Sequence, residues 1–379
     1  MIYLDHAAST PLLSEACSQL CQSLQNDFAN PSSAHRFGSS LSKRIDKIRS
    51  YFLDLLKLDQ EEFDFIFTAS ATESNNMVIL NQAVGSSIFL NQAFHSSLKA
   101  PVINNDYKLN YLPRDGSHHL DAQWLKTCLN KDSTGLLLLE WVNGQSGIIE
   151  NIAEMASLAK QLAPHLWIHV DAVQGFGKIP FPMNSLKFID SIAISGHKIG
   201  GPKGIAGLYF RRHKKLRPLI WGGGQENGMR SGTQAFPLIS SFMTAAKIMH
   251  ADREQSVQVV SHLQCALRSR LEKIQSISFP VASAQTSPYI QMLMIEGASS
   301  DILLRHLEVH EIIMSSTSAC SSKLKGFNPV FADFGIEEQN HKNILRVSFS
   351  ASNTIEEVEI FSRALEKILC DLKRLTRKA

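Results

Sequence analysis

The amino-acid sequence predicts an α/β protein: a large domain with a mostly parallel sheet covered by helices, and a smaller α+β domain at the C-terminal side. Apolar, strand-like runs alternate with helical segments from residue 63 to about residue 210. This alternation is typical of parallel sheets with helices on both faces, because each crossover places a helix between successive strands. The chain has 379 residues, more than one hydrophobic core usually holds, so two domains are expected.

Residues 15–250 form the predicted large domain. Hydrophobic periodicity predicts helices over residues 15–27, 33–57, 72–84 and 151–163, and another after residue 95. Strands are predicted at residues 63–68, 87–90, 135–142, 166–170, 188–194 and 205–210. A helical region without strand signals then runs to about residue 275, and we place the domain boundary within it, near residue 250.

Residues 1–14 and 251–379 form the predicted small domain. The first 14 residues read as extended chain. The C-terminal part carries strand patterns at 289–295, 311–314 and 345–350 and helical patterns at 299–308 and 354–374.

Composition indicates an ordinary globular protein, with 44% hydrophobic and 19% charged residues. A net charge of +3 is too small to indicate nucleic acid or a membrane as a partner. No apolar run approaches the length of a bilayer span, and no secretory leader is visible at the start. The six cysteines are scattered without a C-x-x-C pair, which favours a reducing cytoplasm and no metal site.

The stretch around Lys198 is the most informative one for chemistry. A predicted buried strand runs into Ser195-Gly196-His197-Lys198, and three further glycines follow by residue 204. Glycine allows a sharp turn or a close approach to a ligand. An amine at such a place is a candidate for Schiff-base chemistry. The plainer alternative is a solvated lysine in a turn.

Other polar residues also follow predicted strands. Ala71 and Thr72 open a helix, whose N-terminal N–H groups and dipole favour an anion, although an ordinary capped helix is the alternative. Asp171 ends a strand, where a buried carboxylate needs a cationic partner such as a protonated ring nitrogen. His95 and Asn143 follow two further strands. Ligands of parallel sheets bind at the carboxyl ends of strands, so these groups are expected to share one site.

Cys320 lies in a run of small polar residues, 315–322. A buried structural thiol would have apolar neighbours, so we interpret this cysteine as exposed and reactive. The glycine-dense segment 222–233 is either a flexible loop or a second segment that contacts phosphate.

Taken in order, these stretches resemble the NifS/IscS-type cysteine desulfurases, fold-type-I enzymes of the class-V aminotransferase family that use pyridoxal 5′-phosphate. The matching segments are residues 3–11, 30–33, 71–76, 169–171, 195–199 with 201–204, 230–233, 318–320 and 346–348. The resemblance implies a seven-stranded, mostly parallel sheet in the large domain and a homodimer in which a second subunit completes the site.

The resemblance also implies a role for each residue around the cofactor ring. Lys198 would form the Schiff base with pyridoxal 5′-phosphate. Asp171 would pair with the pyridinium nitrogen, and Gln174 would bond the ring hydroxyl. His95 would stack on the ring and move protons. Because a thiol of ordinary pKa is mostly protonated at neutral pH, His95 is also the best candidate for a base that assists Cys320.

Phosphate and substrate contacts follow from the same resemblance. The cofactor phosphate would be held by Ala71, Thr72, Ser195 and His197, with Thr233 reaching in from the second subunit. Asn143, which also counts among the cofactor contacts, and Arg346 would bind the substrate carboxylate. Cys320 would take the sulfur.

The expected reaction converts L-cysteine to L-alanine and leaves a persulfide on Cys320. The sulfur would pass to a protein acceptor for iron–sulfur cluster assembly or for thiolation of tRNA or a cofactor. Two alternatives remain. A selenocysteine lyase or related pyridoxal-dependent aminotransferase would not need Cys320, and a non-enzymatic scaffold would bind no cofactor.

Several positions depart from the family pattern and indicate a divergent member. Glycine is usual where Ser70 and Thr317 stand, Asn-Glu where Gly144-Gln145 stands, and Ser, Tyr and Arg where Gly175, Gly200 and Asn227 stand. The chain also ends soon after residue 374, so an iron–sulfur scaffold is not expected to dock on a C-terminal extension.

Overall fold

The computed structural model describes residues 1–316 and 327–376. Two residues singled out above, Thr317 and Cys320, lie outside this range. The strands are β1 (Ile2–Tyr3), β2 (Phe63–Thr68), β3 (Ser87–Leu90), β4 (Lys108–Tyr111), β5 (Leu136–Glu140), β6 (Trp167–Asp171), β7 (Ser191–Ser195), β8 (Ala206–Arg211), β9 (Ile277–Ser278), β10 (Ile290–Ile295), β11 (Ile312–Ile313), β12 (Ser315–Ser316) and β13 (Ile344–Ser348). The helices are α1 (Ser14–Asn26), α2 (Arg36–Leu55), α3 (Ala71–Ile79), α4 (Ser96–Ile103), α5 (Ala122–Cys128), α6 (Ile152–Leu162), α7 (Phe236–Ala251), α8 (Arg253–Leu271), α9 (Ser300–Val309), α10 (Pro329–Asp333) and α11 (Ile355–Thr376).

The large sheet has seven strands in the order β2-β8-β7-β6-β5-β3-β4. Strand β8 is antiparallel to both of its neighbours, and the other pairs are parallel. Every residue of β5, β6 and β7 is buried, because helices cover both faces of the sheet centre. The predicted fold class is therefore confirmed, including the mostly parallel sheet.

A smaller antiparallel sheet, in the order β12-β13-β10-β9, lies in the C-terminal part of the chain. The first residues of the chain join this part, because β1 pairs in parallel with β11 and Asp5 forms a bridge with Ser348. Helices α7 and α8 meet at Asp252, close to the predicted boundary near residue 250. The division into residues 15–250 and 1–14 with 251–379 stays a prediction.

Sequence patterns missed some short elements. The seventh strand of the large sheet, β4, was not predicted from its own residues. It is an edge strand without a single buried residue, so it lacks the apolar run by which the other strands were found. In the described part of the chain, no helix is both long enough and apolar enough to cross a membrane.

Departures from the family pattern have local physical reasons. The Ser70 hydroxyl accepts the Glu73 N–H at 3.1 Å and so caps α3. Gly200 has φ = +75°, and a side chain there would meet Leu13 at 2.6 Å. Asn227 has φ = +56°, a backbone conformation that asparagine tolerates better than most residues.

Gly175 leaves room for the indole of Trp141. A Cβ at position 175 would lie 2.3 Å from a ring carbon of this fully enclosed side chain. The large side chain at position 141 therefore fits only because position 175 has no side chain.

We expect Gly175→Ser to lower the free energy of unfolding by about 1–3 kcal/mol, because the core must shift to relieve the overlap. Denaturant unfolding measures this. Gly116→Ser is the matched control, since nothing lies within 4 Å of a Cβ at that position. Equal stability of the two variants would contradict the packing argument.

Candidate active site

The carboxyl ends of β5, β6 and β7 meet at one edge of the large sheet. Glu140 and Asp171 end β5 and β6 and lie opposite each other in register. Strand β7 ends at Ser195, and the chain continues into a single 3₁₀ turn, Gly196–Lys198. The parallel arrangement thus brings Asp171 and Lys198, 27 residues apart in the numbering, to neighbouring strand ends.

The Lys198 amine lies against the N-terminal segment of the chain. Its Nζ donates to the carbonyl oxygens of Ala7 at 2.6 Å and Ala8 at 2.8 Å. The same Ala7 oxygen accepts a hydrogen bond from Gln174 Nε2 at 2.9 Å. On the other side of this amide, Gln174 Oε1 accepts from the buried Lys178 amine at 3.3 Å. Lys198 and Gln174 are therefore neighbours that share one acceptor.

Asp171 is buried and bound by two donors. Its Oδ2 accepts from Asn75 Nδ2 at 2.7 Å, and its Oδ1 accepts from the Val173 N–H at 3.0 Å. Beside it, burial raises the pKa of Glu140 to about 8, and the negative charge of Asp171 adds to the rise. Near neutral pH, burial and the neighbouring carboxylate therefore favour the protonated form of Glu140.

His95 caps the N-terminus of α4 and faces the same edge. Its Nδ1 lies 2.8 Å from the Ser97 hydroxyl, which accepts from Asn75 Nδ2 at 2.8 Å. Solvent reaches the ring, yet the surrounding protein desolvates it and lowers its pKa. The charge of Asp171 opposes this effect and that of Lys198 adds to it, so both groups lie within electrostatic reach of His95.

The predicted phosphate ligands surround the start of α3 and the end of β7. Ala71 and Thr72 form the first turn of α3, whose N–H groups have no partners within the helix. The Ser195 hydroxyl makes no hydrogen bond to any described residue. His197 Nδ1 lies 3.3 Å from the Ser9 hydroxyl, and burial first, then Lys198, lowers the pKa of His197 to about 4. These donors fit a phosphate group.

Arg346 enters the site from the small sheet. Its guanidinium donates to Gly144 O at 2.9 Å, and to Asp5 Oδ1 and Ser315 Oγ at 2.7 Å each. Its Nε is buried and has no hydrogen-bond partner among the described residues. A buried, unpaired guanidinium N–H is a donor that a carboxylate ligand would satisfy.

Asn143 is fully engaged within the protein. Its Nδ2 donates to Ala93 O at 2.9 Å and to Glu140 Oε2 at 2.7 Å, and its Oδ1 accepts two backbone N–H groups at 2.9 and 3.1 Å. Its predicted contact with cofactor or substrate would require one of these bonds to be exchanged.

Thr233 lies apart from these groups, exposed on the segment that follows the glycine-dense loop. Glu226 ties this loop to β2 by accepting the Phe67 N–H at 2.9 Å, and Arg230 pairs with Glu73 of α3 at 2.9 Å. The loop is thus fixed to the phosphate side of the site, while the Thr233 side chain remains accessible. The role predicted for Cys320 concerns a residue outside the described range.

Five residues that contact the site residues were not singled out from sequence: Asp5, Asn75, Ser97, Glu140 and Lys178. Glu140 and Lys178 each carried a signal, since an ionisable side chain stands in an otherwise apolar, buried stretch. The other three look like ordinary polar residues in sequence, and only their tertiary contacts identify them.

An amine and a carboxylate at neighbouring strand ends, a helix N-terminus and a part-buried arginine are the groups that a pyridoxal-phosphate enzyme of fold type I requires. Comparison with known proteins agrees. The sequence profile of the family described as "Aminotransferase class-V" matches residues 2–361, and the chain belongs to this family.

Two curated relatives and one solved structure illustrate the match. The "NifS/IcsS protein homolog" of Lactobacillus delbrueckii subsp. bulgaricus is 30% identical over 381 residues, 97% of each chain. "Cysteine desulfurase, mitochondrial" of Candida albicans is 30% identical over 391 residues, 99% of this chain and 78% of the relative. The crystal structure of a NifS-like protein from Rickettsia africae superposes with a TM-score of 0.88 at 29% identity, covering 97% of this chain and 99% of the other.

The raised pKa of Glu140 predicts a pH-dependent stability. The unfolded chain releases this proton near pH 4.5, whereas the folded chain keeps it until about pH 8. Between these values the folded state binds more protons, so stability from this group is fully present below pH 4.5 and is lost as the pH rises to about 8.

We therefore expect Glu140→Gln to become more stable relative to the unchanged protein as the pH rises from 5 to 8, by at most about 1.4 kcal/mol per pH unit. Denaturant unfolding at several pH values measures the difference. Glu61→Gln, at an exposed position, is the control and should show no such trend. A difference that stays constant with pH would show that Glu140 is ionised in the folded protein.

Proposed function

We propose that this protein is a cysteine desulfurase, which removes sulfur from L-cysteine, yields L-alanine and carries the sulfur as a persulfide on Cys320. The observation that carries the proposal is the convergence of Lys198, Asp171 and Arg346 on one sheet edge. These groups provide an amine, a carboxylate for a ring nitrogen and a carboxylate-binding cation. A curated relative that bears the name cysteine desulfurase supports the substrate.

The family implies pyridoxal 5′-phosphate, and the residues of this chain fit it. Lys198 would hold its aldehyde carbon, Asp171 its ring nitrogen and Gln174 its ring hydroxyl. Its phosphate would lie at the first turn of α3, with Ala71 and Thr72, and would be reached by the hydroxyl of Ser195 at the end of β7. When bound, the cofactor withdraws electrons from the substrate Cα and so acidifies the Cα proton.

Protein groups then orient the substrate and receive the proton. Arg346 presents its unpaired Nε to the substrate carboxylate, and its bonds to Gly144 O and Asp5 hold the guanidinium in place. Lys198, once free as an amine, takes the Cα proton. The Cys320 thiolate attacks the substrate sulfur, a sulfur–sulfur bond forms, and the carbon–sulfur bond breaks. The electron pair of that bond stays on the carbon side, which is protonated on the way to alanine.

We also propose a homodimer, in which Thr233 reaches the phosphate of the second subunit. Large apolar side chains are exposed close to the segment that carries it. Trp221 is 78% exposed and Phe28 80%, and Gln225 of the same loop bonds Ser32 at 3.4 Å. Exposed aromatic groups of this kind mark interaction surfaces.

The sulfur would pass to a protein acceptor for iron–sulfur assembly or for thiolation of tRNA or a cofactor. We place the enzyme in the cytoplasm. The five cysteines within the described residues are all free thiols, as expected in a reducing compartment.

Incubation with pyridoxal 5′-phosphate and L-cysteine should yield alanine, together with a mass increase of one sulfur on the peptide that contains Cys320. Lys198→Ala should abolish both products, and Cys320→Ala should abolish turnover to alanine. Lys215→Ala and Cys265→Ala, at exposed positions, are matched controls and should keep both. Alanine formation that survives in Cys320→Ala would favour a selenocysteine lyase or a related aminotransferase, and a protein that binds no cofactor would favour a scaffold.

Arg346→Ala should raise KM for L-cysteine roughly ten- to hundredfold, the range expected when one charge-assisted hydrogen bond is lost. The kcat should change less. Arg346→Lys keeps the charge but not the two parallel N–H donors of the guanidinium. Its KM should therefore lie between that of the unchanged protein and that of Arg346→Ala. Arg305→Ala, at an exposed position, is the control. An unchanged KM in Arg346→Ala would remove Arg346 from the substrate site.

A further inference from the structure

A continuous chain of hydrogen bonds, buried up to Ser97 and part-buried at His95, runs from Trp167 to His95 behind the candidate active site. It begins where Trp167 Nε1 contacts the Ser191 hydroxyl at 2.8 Å, and that hydroxyl lies 2.8 Å from His169 Nδ1. His169 Nε2 then lies 2.9 Å from Asn75 Oδ1. The direction of each bond can be deduced, because some members of the chain can only donate or only accept.

The Trp167 end orients the first bond. An indole N–H only donates, so Ser191 accepts from Trp167, and its own hydrogen is available for His169 Nδ1. Burial lowers the pKa of His169 to about 3, more than a backbone hydrogen bond with Ser191 raises it, so the ring is neutral with one N–H. That hydrogen is on Nε2, because the Asn75 Oδ1 atom that Nε2 faces can only accept.

The Asp171 end fixes the orientation of Asn75. An ionised carboxylate only accepts, and it lies 2.7 Å from the Asn75 amide. The nitrogen of that amide must therefore face Asp171, because an oxygen in its place would be repelled. The second hydrogen of Asn75 Nδ2 goes to the Ser97 hydroxyl at 2.8 Å.

Ser97 transmits this order to His95. Its hydroxyl accepts from Asn75, so its own hydrogen is available for His95 Nδ1, which lies 2.8 Å away. The backbone N–H of Ser97 also donates to this nitrogen, at 3.2 Å. Two donors point at His95 Nδ1, so the neutral ring carries its hydrogen on Nε2.

We propose that Asn75 and Ser97 are positioning residues that hold His95 in the Nε2–H form and join it to Asp171 through one amide. In this form Nε2 can donate a hydrogen bond but cannot accept a proton, and Nδ1 is already occupied. His95 therefore enters the reaction as a donor. The sequence suggested His95 as the base that ionises Cys320. In the Nε2–H form His95 cannot play this role, so the base is either another group or a His95 ring that has lost its hydrogen bond from Ser97. The identity of the group to which His95 donates rests on the proposed function, whereas the position of the hydrogen on the His95 ring does not.

The test is nitrogen NMR of the full chain, isotope-labelled at the histidine rings, near neutral pH. His95 is assigned by the signals that disappear in His95→Gln. We expect a protonated Nε2 and an unprotonated Nδ1. In Ser97→Ala one of the two donors is lost, so the two nitrogen signals should move toward each other as the ring samples both forms. Ser96→Ala, at the exposed neighbouring position, should leave them unchanged.

Asn75→Asp should produce the same change, because an added carboxylate oxygen would draw the Ser97 hydroxyl away from His95. Asn76→Asp, one residue along α3, is its control. If Asn75→Asp does not fold, Ser97→Ala alone decides the question. A hydrogen on Nδ1 in the unchanged protein, or identical signals in Ser97→Ala, would overturn the proposal.

With L-cysteine, Ser97→Ala should lower kcat by on the order of tenfold or more while KM stays within about twofold, as expected when a proton-transfer group loses its orientation. The NMR result stands without this assay. A fixed Nε2–H form in a protein that does not turn over L-cysteine would refute the proposed function and leave this inference intact.

Discussion

The backbone N–H and C=O groups of Ala7 join the two parts of the fold at the site. Its N–H donates to the Ser348 hydroxyl of β13 at 2.9 Å, while its carbonyl accepts from both Lys198 and Gln174. Arg346 lies two residues before Ser348 on the same strand. The distance between the amine at the large-sheet edge and the guanidinium of the small sheet is therefore set by one stretch of N-terminal backbone. The pairing of β1 with β11 anchors that stretch at its start.

The charges around this peptide explain why the site suits an anionic ligand. Lys178, Lys198 and Arg346 lie close enough for their charges to interact. Burial first, then these two neighbouring cations, lowers the pKa of Lys178 to about 7. The ion pair with Asp5 compensates Arg346 only in part, since its Nε remains without a partner. A phosphate or carboxylate would relieve this excess of positive charge, which is what the cofactor and an amino-acid substrate provide.

Much of this arrangement could be predicted from the sequence, because local patterns determine it. The strands at residues 63–68 and 87–90 were predicted with the bounds that the structure shows. Lys198 and Asp171 were predicted at strand ends by the same periodicity. The links between these groups could not be predicted. Asn75 contacts Asp171 across 96 residues, and Arg346 contacts Asp5 across 341, and no local pattern encodes such pairs. The fit of Trp141 over Gly175 was hidden for the same reason, since each residue looks unremarkable alone.

The hydrogen-bond chain behind the site also distinguishes the two neighbouring carboxyl groups by their donors. Glu140 and Asp171 are paired in register on neighbouring strands, and burial first, then the charge of Asp171, raises the pKa of Glu140 to about 8. Glu140 has the Asn143 amide as its donor, whereas Asp171 receives hydrogen bonds from both Asn75 and Val173. Asp171 therefore has the larger set of donors of the two. The Asn75 amide thus serves two ends at once: it donates to Asp171, and it donates to Ser97, whose hydroxyl and backbone N–H lie against Nδ1 of His95.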